Sequence, residues 1–93
     1  MTDTEFEELL QSFTNPAQDF LIFARKENFL TEESIFHLTT MHRTNPGLKM
    51  NLVCAFSICL NALENDPTFE RREHTRLQHL AAAASSGVAP SQL

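Results

Sequence analysis

The sequence is poor in the residues that build specialised backbone sites. Its only glycines are Gly47 and Gly87, so it has no glycine-rich loop of the kind that holds nucleotide phosphates. Its apolar runs, such as LVCAF at positions 52–56, are far shorter than the roughly 20 residues that a membrane-spanning helix needs. The composition therefore argues against a P-loop nucleotide site and predicts a chain that does not span a membrane.

Cysteine is also scarce, with Cys54 and Cys59 as the only two. Two cysteines in a strongly apolar stretch do not form the framework of a disulfide-rich domain, and the N-terminus lacks the basic and apolar regions of a signal peptide. We therefore predict a cytoplasmic, reducing compartment. Because free cysteine is among the most often buried residue types, both thiols are expected to be small core side chains rather than nucleophiles.

Basic residues are outnumbered, with 7 Lys and Arg against 12 Asp and Glu, for a formal charge of −5. A net negative field repels phosphate backbones, which disfavours nucleic acid as a partner. The local cluster RREHTR leaves one alternative open: a small nucleic-acid-binding regulator in which Arg71, Arg72 and Arg76 contact phosphates from one helix.

Apolar residues recur at helical spacing along most of the chain, without the alternation typical of strands. We predict an all-α single domain over residues 1–84, followed by a disordered tail over 85–93. The expected bundle has about five helices: Glu5–Phe13, Pro16–Asn28, Glu32–Arg43, about 46–65, and a last helix between Asp66-Pro67 and Gly87.

The fourth predicted helix is apolar on much of its circumference, which is typical of a helix surrounded by others. It is therefore the expected centre of the bundle, and Phe56 on its main stripe is the expected costliest side chain to truncate. The fifth predicted helix has a poor apolar stripe interrupted by Glu73, so it is expected to bury little.

The triplet T-N-P occurs twice, at 14–16 and at 44–46. The 30-residue stretches that begin at the two triplets share almost nothing else, so the chain is not a tandem repeat. Asn is a favoured N-cap and Pro fits the first helical turn, so both triplets, and Asp66-Pro67, predict helix starts. Thr31 is the predicted cap of the third helix.

The histidine and cysteine pairs are the candidate metal ligands of the sequence. Within a helix, side chains five positions apart are rotated by about 140°, which does not suit two ligands of one ion. We predict no metal and no other cofactor, leaving open a site assembled between helices. The spacing in question separates His37 from His42, His74 from His79, and Cys54 from Cys59.

The acidic pairs Glu7-Glu8 and Glu32-Glu33 do not indicate general acid–base catalysis. Both lie in first helical turns, where the helix dipole already favours negative charge. The hypothesis is therefore a non-enzymatic interaction protein: an adaptor, a chaperone-like subunit or an inhibitor that binds a partner protein or forms a homo-oligomer. Its predicted contact surface consists of five apolar residues that lie off the main stripes: Ile22, Phe36, Met50, Cys54 and Ile58. The alternative is that these residues pack inside the bundle, against the first and fifth helices.

Overall fold

Five α-helices form a single bundle in the computed structural model, which describes residues 2–45 and 47–87. Within these residues there is no strand, and the molecule measures 35 × 29 × 23 Å along its principal axes. The predicted all-α bundle is confirmed. The helices are α1 (Asp3–Leu10), α2 (Asn15–Lys26), α3 (Glu32–Thr44), α4 (Leu52–Glu64) and α5 (Arg71–Ser85).

The core is built on α2. At 100° per residue, five apolar residues of α2 cluster on one side of the helix, and each is at most 1% exposed: Ala17, Phe20, Leu21, Phe23 and Ala24. Both α4 and α5 pack against this helix. A stripe that holds large aromatic rings and two alanines on one face lets neighbouring helices approach closely while still burying much apolar area.

Helix α4 packs against α2, α3 and α5, in keeping with its predicted central place. Its inward side carries the fully buried Ala55 and Cys59. Phe56, however, is only half-buried, and its ring meets Phe20 edge-on with 5.9 Å between centroids. The largest fully buried rings lie elsewhere, and Phe20 is one of them.

Helix α5 packs against two other helices. It runs against both α2 and α4, and Leu77 and Ala84 are at most 1% exposed. These two are the only buried residues among the 15 of α5, as its poor apolar stripe predicts, although the helix contacts two neighbours. The half-buried Ala81 and Ala83 pack against the core as well, and small residues permit close helix contact.

The two T-N-P triplets have opposite roles in the structure. At the first, Thr14 is the N-cap and α2 begins at Asn15, one residue before the predicted start. At the second, Thr44 is the last residue of α3 and Asn45 is its C-cap. Helix α4 begins only at Leu52, where the Asn51 side chain accepts a hydrogen bond from the Cys54 amide at 2.9 Å.

The Asp66-Pro67 pair likewise forms a turn rather than a helix start. The Asp66 carboxylate accepts hydrogen bonds from the Thr68 amide and hydroxyl, at 2.9 and 2.8 Å, and these bonds lower the pKa of Asp66. Helix α5 begins at Arg71 with a capping box between Glu70 and Glu73. Asn and Asp side chains cap turns as readily as helices, which explains both wrong starts.

The predicted cap and stop at two other helix ends are confirmed. The Thr31 hydroxyl accepts a hydrogen bond from the Ser34 amide at 3.1 Å at the start of α3. Gly87, with φ +80°, follows the C-cap of α5 in the left-handed conformation that glycine adopts easily. Since α5 continues to Ser85, the predicted tail begins slightly too early, and residues 88–93 of it lie outside the described residues.

A short backbone pairing joins two junctions of the bundle. The Thr14 amide donates to the Met50 carbonyl at 2.9 Å, and the Met50 amide donates to the Ser12 carbonyl at 2.8 Å. These bonds form an isolated parallel bridge between Phe13 and Met50. The pairing holds the segment before α4 against the corner between α1 and α2, and both bridged side chains are buried.

The energetics of the core give a first prediction. Phe20→Ala is expected to lower the free energy of unfolding by roughly 3 to 5 kcal/mol, because it removes a fully buried ring and leaves a cavity. Phe56→Ala should lose less, because this side chain is only partly buried in the native structure. Urea unfolding of both variants checks the ranking, and a larger loss for Phe56→Ala would contradict it.

The helix starts give a second prediction. Asn51→Ala should lower the free energy of unfolding by about 1 kcal/mol, because it removes the side-chain cap of α4. Asn45→Ala is the matched control and should change it by less than about 0.5 kcal/mol, because Asn45 begins no helix. The same urea experiment measures both, and equal losses would place the start of α4 at the second triplet.

Candidate protein-binding surface

An open groove lies between α3 and α4 on the outside of the bundle. It has a volume of about 250 Å³ and is lined from α3 by His37, Thr40 and Met41, and from α4 by Ile58 and Asn61. The two helices are antiparallel, because Glu32 and Glu33 at the start of α3 line a common depression with Ala62 near the end of α4. We call the groove residues, together with the flanking Phe36 and Cys54, the α3–α4 face.

Phe36 is the most prominent side chain of this face. Its position on α3 is rotated by about 160° from Leu38, which is fully buried, so the ring is left 66% exposed. The neighbouring His37 ring lies edge-on at 5.7 Å between centroids. An exposed phenylalanine beside a groove is the feature that distinguishes this side of the molecule.

Hydroxyl groups on the same helix are already satisfied. Thr40 donates to the Phe36 carbonyl at 2.8 Å, and Thr44 donates to the Thr40 carbonyl at 2.7 Å. Because these hydroxyls have partners inside α3, covering them removes fewer hydrogen bonds to water. The face is therefore less costly to desolvate than its composition suggests.

Cys54 and Ile58 contribute the α4 side. They are one turn apart on the same side of the helix, and both are half-buried. Ile58 lines the groove directly. Of the five residues of the predicted contact surface, Ile58 alone lines the groove, while Phe36 and Cys54 each lie one helical turn from a lining residue, Thr40 and Ile58 respectively.

The other two predicted residues lie elsewhere. Met50 is only 5% exposed, because the backbone bridge to Phe13 directs it into the core; its assignment to an exposed surface is wrong. Ile22 is half-buried in a separate groove between α1 and α2, where Phe6, Leu10 and Arg25 also line the walls. The location of Ile22 agrees with the alternative to a contact surface, in which such residues pack against the first helix.

Two exposed apolar residues were missed by the sequence pattern. Val53 is 70% exposed on α4 and Leu48 is 52% exposed in the segment between α3 and α4. The pattern assigns both to the inward side of a helix that starts at Pro46. Because α4 begins later, Leu48 lies outside it, and an all-round apolar helix gives no signal of which side faces solvent.

A serine–histidine pair joins the turn after α1 to α3. The Ser12 hydroxyl and His42 Nδ1 share a hydrogen bond, and Glu5 and Glu8 line a groove together with His42. Ser12 is 5% exposed, and in the part of the chain that the structure describes no carboxylate hydrogen-bonds His42. Because Ser12 is buried and no carboxylate orients the histidine, the pair links the α1–α2 turn to α3 and does not form an accessible nucleophile.

Two of the three arginines of the nucleic-acid-binding hypothesis form ion pairs within the molecule. The Arg76 guanidinium pairs with Glu27 and lies 5.4 Å above the centre of the Phe29 ring. Arg72 pairs with Glu70 at 2.9 Å. Only Arg71 of the three has no ion pair among the described residues. These contacts give Arg76 a structural role at the α2–α5 contact.

Metal-ligating and thiol groups are dispersed. Over residues 2–45 and 47–87, no three His, Cys, Asp or Glu side chains form a group that could hold a metal ion. Both cysteines are free thiols, with Cys59 fully buried and Cys54 half-buried. Burial raises the pKa of the Cys59 thiol to about 12, so this thiol stays protonated near neutral pH.

Comparisons of the chain with protein-family models, with curated proteins and with solved structures give no significant match. No helix among the described residues has both the length and the apolar character needed to cross a bilayer.

The two thiols give a third prediction. A small maleimide should label Cys54 in the native protein, while Cys59 should react only after unfolding in urea, because burial blocks access and disfavours its thiolate. Mass spectrometry of the digested protein over time measures both rates. Equal native labelling of the two cysteines would contradict the burial assigned to α4.

Proposed function

We propose that the protein is a non-enzymatic interaction module that binds another protein chain through its α3–α4 face. The observation that carries the proposal is the 66% exposure of Phe36 beside the groove that Met41 and Ile58 line. Exposed aromatic side chains next to an apolar groove are typical of protein-binding surfaces. The roles that fit are those of an adaptor, a chaperone-like subunit or an inhibitor.

Burial of Phe36 supplies the driving force. A phenylalanine exposes a large apolar area, and its removal from water is worth roughly 25 cal/mol for each Å² covered. Few rotatable bonds are lost when the ring is fixed, so little of this gain is offset by side-chain entropy. An aromatic ring is for this reason an effective anchor in an interface.

The face is also rigid before it binds. Leu38 holds α3 against the core, and Ala55 and Cys59 do the same for α4, all with no exposed surface. A surface carried by two packed helices needs little rearrangement on binding, which lowers the entropic cost of association. A partner that presents a helix can lie along the groove between α3 and α4.

The fourth prediction tests the anchor. Phe36→Asp should leave the circular dichroism spectrum and melting temperature nearly unchanged, because the side chain is exposed, while weakening association by about 2 kcal/mol, or about 30-fold. Sedimentation and pull-down with the purified chain as bait measure association. Phe20→Asp should instead unfold the chain, because that ring is fully buried.

Val53→Asp is the matched control for an added charge at an exposed apolar position. Val53 is as exposed as Phe36 but lies on a different side of α4 from Ile58. Association should therefore be nearly unaffected by this change. Unfolding of the Phe36→Asp variant, or equal weakening by both substitutions, would reject the α3–α4 face as the binding surface.

A further inference from the structure

We draw no further inference here: the strongest candidate, the open groove of the α3–α4 face beside the exposed Phe36, belongs to the surface already described, and nothing among the described residues shows what covers it.

Discussion

Burial of one face of α2 is the constraint on which the other helices depend. Phe20 and Phe23 leave no room for water along that face, and α4 and α5 reach it from two sides. With α2 and α5 covering part of its surface, α4 contacts α3 on another side, and its remaining side is exposed to solvent. The groove that carries the proposed function is therefore a consequence of how α2 is covered, although none of its lining residues belongs to α2.

The bridge between Phe13 and Met50 is the second organising contact. Two backbone hydrogen bonds hold the segment before α4 at the α1–α2 corner, and they turn the Met50 side chain into the core. Side-chain contacts reinforce that corner, since Gln18 Nε2 donates to the carbonyls of Leu10 and Phe13 at 2.9 and 3.0 Å. The Arg25 guanidinium, paired with Asp3, lies 4.7 Å above the centre of the Phe6 ring. These polar contacts join α1 to α2 at the corner against which the segment before α4 is held.

Core packing and the α3–α4 face use different parts of the same helices. Leu38 and Phe36 are two residues apart on α3, yet the first has no exposed surface and the second is largely exposed. The sequence placed Phe36 opposite the core correctly, because a helix with a single apolar stripe has a defined outer side. It failed for Met50, which lies outside any helix, and for Ile22, whose neighbours in the α1–α2 groove are distant in the chain.

Periodicity in the sequence by itself determined that this chain is helical, which residues of α2 are buried, and that α3 starts after Thr31, because these properties depend on neighbours within one or two helical turns. Tertiary structure alone decided which Asn or Asp begins a helix, since the same side chains also cap turns, as Asp66 does. It also decided which side of α4 is exposed and how closely the alanines of α5 approach α2. A helix that is apolar all round has no preferred inner side until its neighbours have packed against it.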